Sequence, residues 1–145
     1  MFLYNEVQKR EANQERVRVK LIGAGKFGSM FLSQAPFTIG LEVRSIVDIS
    51  VENAKKNCRD VGWTEEQIES VLFFDILKKM ISQTKIDVLV EATGDPVEGT
   101  KHALIAIEQG LDIVMVNVEA DVLSGPYLAK EAEKAGIIYS MAYGD

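Results

Sequence analysis

One cysteine and one histidine in 145 residues leave little room for two kinds of chemistry. Cys58 has no second cysteine to join within the chain, so a disulfide framework is excluded, and the residue reads as a small packed or semi-exposed thiol in a helix. With His102 as the single imidazole, no Cys/His cluster can be assembled, and no metal site is expected. Basic residues are also short, 16 against 22 acidic, for a formal charge of −6. That field opposes polyanions, so neither nucleic acid nor anionic lipid is an expected partner. No apolar run reaches the length of a bilayer span, and the opening Met1-Phe2-Leu3-Tyr4-Asn5-Glu6 turns polar too soon for a signal peptide. The expected location is the cytoplasm. What remains is an ordinary globular balance, 47% hydrophobic and 26% charged, sufficient for one core.

Val17, Val19, Leu21 and Ile22 alternate and then run together, as a strand entering a buried parallel sheet does. Gly23-Ala24-Gly25-Lys26-Phe27-Gly28 follows at once. Ser29 to Ala35 then carries Met30, Phe31 and Leu32 with no breaker before Pro36, which predicts a helix beginning at or within the glycine loop. Leu41 to Val47 is a second strand ending at Asp48. Ser50 is placed to cap a helix from Val51 toward Gly62, and Thr64-Glu65-Glu66-Gln67 has capping-box spacing. Val71 to Phe74 predicts a third strand, Ile76 to Gln83 a helix, and Ile86 to Ala92 a fourth strand closed by Thr93-Gly94. Asp95-Pro96-Val97-Glu98 joins an N-cap, a proline at the first helical position and an acid three residues past the cap, opening a helix to Gly110. Leu111 to Val118 is expected as a fifth strand, Ser124 to Ala135 as a helix, and Ile137 to Met141 as a sixth strand. Residues 1–15 form a polar segment expected to be helical, with Phe2, Leu3 and Val7 available to dock it on the domain or on a partner.

Six strands alternating with helices predict an α/β fold over residues 16–145. The sheet is doubly wound and mostly parallel, with helices on both faces, because parallel neighbours need crossover connections. This is the Rossmann architecture. In it the loop glycines have separate mechanical tasks: Gly23 makes the tight turn, Gly25 lets backbone approach a pyrophosphate, and Gly28 lets helix pack on strand. N–H groups of Ala24, Lys26 and Phe27 belong to the same loop, whose side chains line the site while the backbone binds. Asp48, with Ile49 beside it, lies about twenty residues past the loop, where an acid can accept hydrogen bonds from ribose hydroxyls; the other reading of Asp48 is an Asx turn or a second cap before Val51. Together these features predict NAD(H) or NADP(H) as cofactor. The acid at position 48 repels a 2′-phosphate and favours NAD(H), while Arg44, Lys55 and Lys56 are near enough in sequence to keep NADP(H) open.

Ala92, Thr93 and Gly94 close the fourth strand at the ligand-binding edge of such a sheet and are expected to wall the nicotinamide half, together with Asn117. No catalytic pair is evident. Glu119 is the candidate acid, with Glu91 and Asp121 behind it. His102 is read as a surface or packing residue, and Trp63 as packing.

Three blocks carry a family resemblance: Val19-Lys20-Leu21-Ile22-Gly23-Ala24-Gly25-Lys26-Phe27-Gly28-Ser29-Met30, Val90-Glu91-Ala92-Thr93-Gly94, and Val114-Met115-Val116-Asn117-Val118-Glu119-Ala120-Asp121. The sequence resembles the N-terminal cofactor domain of the homoserine dehydrogenase-like oxidoreductases, in the branch that includes a 1-deoxy-D-xylulose 5-phosphate reductoisomerase-like enzyme. The resemblance spans about Arg16 to Asp145. It implies hydride transfer between nicotinamide and a carbonyl or hydroxyl substrate, and a C-terminal substrate and oligomerisation domain in the full-length protein, with homo-oligomers open. Homoserine dehydrogenases carry a catalytic lysine after the asparagine matching Asn117, and Val118 stands there, which argues against homoserine. Ending at Tyr143-Gly144-Asp145, the chain is expected to be a fragment that holds cofactor and is inactive alone. The other reading is a regulatory Rossmann module that senses a nucleotide without catalysis.

Overall fold

The computed structural model describes residues 2–75 and 84–142, so the helix expected over Ile76 to Gln83 lies outside the described residues. The strands are β1 (Val17–Ile22), β2 (Leu41–Val47), β3 (Leu72–Phe74), β4 (Val88–Glu91), β5 (Asp112–Met115) and β6 (Tyr139–Met141). They form one six-stranded sheet in the order β3-β2-β1-β4-β5-β6. Every pairing is parallel. The last four residues of β1 are buried, as expected of a central strand covered on both faces. From β1 the chain winds outward to β3, then restarts at β4 on the other side of β1 and winds outward again. The carboxyl ends of β1 and β4 therefore flank a crevice, since the connections above them leave in opposite directions.

Helix α1 (Phe2–Ala12) precedes the sheet, and α2 (Lys26–Gln34) follows β1. Next come α3 (Val51–Asp60), α4 (Glu65–Glu69), α5 (Pro96–Glu108) and α6 (Val118–Ala135). Their starts follow local chemistry. The Ser50 hydroxyl accepts from the Asn53 N–H at 3.2 Å. Thr64 and Gln67 make the reciprocal capping-box pair at 3.1 and 2.8 Å. The Asp95 carboxylate accepts from the Glu98 N–H at 2.8 Å, directly before Pro96 at the first helical position.

One expectation fails. The fifth strand ends at Met115 rather than Val118, and the next helix begins at Val118 rather than Ser124. Asn117 is the reason: its side-chain oxygen accepts from the Ala120 N–H at 3.0 Å and caps α6. Pro126 lies inside the helix. It and Val122, whose carbonyl loses its helical donor, are both exposed.

Two apolar clusters sandwich the sheet. Val19, Leu21 and Ile46 face Leu32 of α2, Ala54 and Cys58 of α3, Ile68 of α4 and Trp63. Ile22, Val47, Leu89, Ile113 and Met115 face Ala103 and Ala106 of α5 and Ala120 and Leu128 of α6. Cys58 is fully buried, and burial pushes its thiol up to about 11. The Trp63 indole N–H donates to the Leu32 carbonyl at 2.7 Å, tying α2 to the turn after α3. β2 switches phase between Val43 and Ile46, because Val19 pairs with Val43 but Lys20 pairs with Ser45. Arg44 is thus the extra residue of a bulge and projects into solvent.

α1 lies on the surface with no buried residue. It docks through Val7, whose backbone crowds Gly40 at φ +77, and through Glu11. The Glu11 carboxylate accepts from the Gly40 N–H at 2.9 Å and pairs with Arg16. Phe2 and Leu3 stay exposed. Among the described residues, no helix is long and apolar enough to cross a membrane.

One ion pair ties β1 to the residue that enters β4. Asp87 accepts from Nε and Nη2 of Arg18 and from the Arg18 backbone N–H, each at 2.9 Å. The guanidinium holds the Asp87 carboxyl below its ordinary range, chiefly by hydrogen bonding. A carboxyl depressed on folding contributes stability above its unfolded value and loses it as pH falls through the folded value. Denaturant melts are therefore expected to show Asp87→Asn about 1 kcal/mol less stable than wild type near neutrality, the pair being partly exposed. That gap should close as pH falls below about 4.

Candidate functional site

At the carboxyl edge of β1, β2 and β4 lies a cleft of about 730 Å³. Its floor is the turn from β1 into α2. Gly23, at φ +91, donates its N–H to the Val47 carbonyl at 2.8 Å, and a Cβ there would come within 2.8 Å of the Ala92 backbone. Ala24 is fully buried and held from three sides. Its N–H donates to Asp48 Oδ2 at 2.8 Å, while its carbonyl accepts from Ser29 Oγ at 3.0 Å and Asn57 Nδ2 at 2.7 Å. A Cβ on Gly28 would run into the Gly23 carbonyl oxygen. Gly25 has nothing within 4 Å of where a Cβ would stand, so open space lies over it.

α2 starts differently from its neighbours. Side chains cap α3, α4, α5 and α6, yet Gly25 offers α2 no side chain, and no acid lies in its first turn. The first N–H groups of a helix need acceptors and carry the positive end of its dipole. Here they open on the cleft beside Lys26 and Phe27, and an anion is the group that satisfies them.

Asp48 and Ile49 line one end of the cleft. The Asx-turn reading of Asp48 holds, with Oδ1 accepting from the Ser50 N–H at 3.1 Å, while Oδ2 accepts from the Ala24 N–H of the glycine loop at 2.8 Å. Ile49 is 98% exposed, an apolar surface with nothing yet packed on it. The cations considered beside Asp48 point elsewhere. Arg44 lies 3.7 Å from Glu42, Lys56 pairs with Asp60 at 2.7 Å, and Lys55 sits over the Phe73 ring. None of the three lines the cleft.

Ala92, Thr93 and Gly94 line the opposite end, with Asp95, Glu98 and His102. His102, read from sequence as a surface or packing residue, is mostly buried and also lines the cleft. Its Nδ1 lies 3.1 Å from Oε1 of Glu91, a carboxylate with no exposed surface at the end of β4. Thr93 Oγ1 donates to the same oxygen at 2.6 Å. Glu91 Oε2 has no hydrogen-bond partner among the described residues. Sequence reasoning missed this pair because its members sit on a strand and a helix, eleven positions apart, with no local motif to join them. Asn57 was missed likewise.

Four predicted residues are not part of the cleft lining: Ala24 and Gly28, which pack beneath the loop, and Asn117 and Glu119. Asn117 is buried, and beyond capping α6 its Nδ2 donates to the Asp95 carbonyl at 2.7 Å, pinning the loop that carries Thr93 and Gly94. Glu119 is exposed in the first turn of α6. Asp121 accepts from the Tyr139 hydroxyl at 2.9 Å, and burial with that carboxylate raises the phenol above its ordinary range. Among the described residues no three His, Cys, Asp or Glu side chains gather as metal ligands.

Residues 11–141 match the family model described as homoserine dehydrogenase, NAD binding domain. Solved structures share the fold at low identity. The WlbA dehydrogenase from Bordetella pertussis, in complex with NADH and UDP-GlcNAcA, is 20% identical with a TM-score of 0.70 over 88% of this chain and 37% of its own. The Chromobacterium violaceum WlbA dehydrogenase, with the same two ligands, is 18% identical at a TM-score of 0.70, covering 88% and 35%. The myo-inositol 2-dehydrogenase from Lactobacillus plantarum is 16% identical at 0.66, covering 88% and 36%. Among curated proteins, a thiazole synthase from Proteus mirabilis (strain HI4320) is 44% identical over 64 residues, 43% of this chain and 23% of that protein. The chain thus spans about a third of the solved structures it resembles and under a quarter of that curated relative.

The close approach of α2 to β1 gives a stability test. Gly28→Ala is expected to cost about 1–3 kcal/mol in a denaturant melt, because backbone must shift to admit the methyl. A melt unchanged within error would show that α2 does not need this approach.

Proposed function

Since the chain belongs to the family of homoserine dehydrogenase NAD-binding domains, we propose that it is the cofactor-holding part of a cytoplasmic oxidoreductase that moves hydride between nicotinamide and a carbonyl or hydroxyl substrate. The observation that carries the reading is the uncapped start of α2 opening on the cleft, with Asp48 at one flank. The residues present fit the group. Gly25 leaves room for a pyrophosphate over the helix start, Asp48 can accept from ribose hydroxyls, and exposed Ile49 offers a face to an adenine ring. Thr93, Gly94 and His102 are left for the nicotinamide end. The nicotinamide, when bound, supplies the hydride acceptor or donor.

NAD(H) is favoured over NADP(H), because Asp48 repels a 2′-phosphate and neither Arg44, Lys55 nor Lys56 lines the cleft to hold one. The chain's own residues position: Asn57 and Asp48 hold the loop rigid, and Asn117 holds the Thr93–Asp95 turn. Groups that bind and activate substrate come, on this proposal, from a second domain. The solved structures of the same fold are more than twice as long, which supports that expectation. Val118, where homoserine dehydrogenases carry their lysine, argues for a substrate other than homoserine.

Fluorescence titration checks the reading. NADH is expected to bind, with NADPH weaker by about tenfold or more. Asp48→Asn retains an acceptor for the loop and is expected to weaken NADH by roughly 1.5–3 kcal/mol, the worth of a hydrogen bond to a charged group. Absence of binding by both cofactors overturns the function, and unchanged affinity in the variant removes Asp48 from the site.

A further inference from the structure

Glu91 and His102 are not explained by holding the fold. A carboxylate with no exposed surface is costly unless it is paired and hydrogen-bonded, and an apolar side chain would fill the end of β4 more cheaply. Its partners all lie toward the cleft: the Thr93 hydroxyl and the His102 ring, itself a cleft-lining group. If Glu91 is a carboxylate it only accepts, and then Nδ1 carries hydrogen toward it and Nε2 is the nitrogen left for whatever occupies the cleft. Neutral imidazole presents a lone pair there, and imidazolium presents an N–H with a positive charge.

Oxidised nicotinamide carries a positive ring and reduced nicotinamide a neutral one. We propose that His102, held by the buried Glu91 carboxylate, sets the preference of the cleft between the two forms by carrying a positive charge only when the ring does not. The inference rests on the cofactor reading above. With NAD⁺ bound, the ring's charge expels the proton from the imidazole to solvent, and the Glu91 carboxylate faces the ring's charge instead. With NADH bound, the imidazolium is retained. The net charge at this end of the cleft is then the same in both states, and one proton accompanies the change of cofactor.

The other charged groups around the ring do not supply this switch. On its own helix Glu98 and Lys101 pair at 2.7 Å, and Asp95 is the helix cap. Across the cleft stand Lys26, Asp48 and Asp75. On α6, Asp121 is taken by Tyr139, and Glu119 is exposed. Carboxylic acids and amines ordinarily change charge outside the interval of about pH 5 to 8 that imidazole covers. Lys20, buried in β1 on the sheet face shared with Glu91, is the exception, since burial pushes it down to about 8. It does not line the cleft.

Because the sequence holds one histidine, its ring gives a single carbon-bound proton signal that can be followed by NMR in the unmodified protein. Saturating NAD⁺ is expected to move the midpoint of that titration about one pH unit below the midpoint with saturating NADH, the effect of two like charges at close range in a partly exposed site. In parallel, the ratio of NAD⁺ to NADH affinity is expected to rise about tenfold from about pH 5.5 to about pH 7.5. His102→Gln retains a donor for Glu91 and should flatten that ratio. Equal midpoints with the two cofactors, or a ratio that keeps its pH dependence in His102→Gln, overturns the assignment. Failure of both cofactors to bind overturns the cofactor reading itself, so the two failures are distinguishable.

Discussion

The distance between α2 and β1 governs the rest of the structure. It is set by Gly28 standing against the Gly23 carbonyl, where no side chain can intervene. At that distance the first N–H groups of α2 reach the cleft, Ala24 is drawn into the core, and its N–H meets Asp48 at the end of β2. The far end of α2 is fixed as well, since Trp63 bonds the Leu32 carbonyl across the same face. A helix pushed outward by one methyl group would lose these contacts together. The glycine pattern therefore serves packing first, and the binding surface is what that packing leaves exposed.

The cleft is electrostatically uneven in a way that selects where each part of a dinucleotide fits. Lys26 and the helix start form its positive centre. Acids stand to both sides: Asp48 toward β2, Asp75 after β3, and Asp95 with Glu98 beyond β4. A diphosphate placed anywhere but the centre would meet a carboxylate. On the proposed reading, the flanks take neutral hydroxyls at one end and, with Glu91 behind His102, a ring of variable charge at the other. A chain with formal charge −6 can accept an anionic cofactor because the opposing charges are short of the helix start, where dipole and backbone donors act at contact distance.

Local chemistry was legible in the sequence wherever it is written in consecutive residues. Ser50, Thr64 with Gln67, and Asp95 with Pro96 cap the helices they were expected to cap, and the alternation of β1 marks the centre of the sheet. Errors arose where a local signal competed with a tertiary one. The apolar run from Leu111 to Val118 looked like one strand, but Asn117 had already begun α6, and the solvent-facing side of that helix tolerates Pro126. The glycine loop and Asp48 were legible because turn geometry constrains them position by position. The Glu91–His102 pair was not, because neither residue has a local reason to be where it is: each is explained only by the other across the gap between β4 and α5.

Asn117 shows the structural work that a motif residue does apart from any chemistry. The resemblance to homoserine dehydrogenases rests partly on this asparagine, yet in this chain both ends of its amide are taken by α6 and by the Asp95 carbonyl. Gly99 on α5 leaves the space the amide occupies, since a Cβ there would collide with its nitrogen. Replacing Asn117 would therefore free the start of α6 and the Thr93–Asp95 turn at once, whatever reaction the protein serves. Val118 bears no such load. It is the first residue of α6, half exposed, and touches none of these bonds. An amine could stand at this position in place of the isopropyl group without disturbing those bonds, whereas the neighbouring asparagine could not be exchanged so freely.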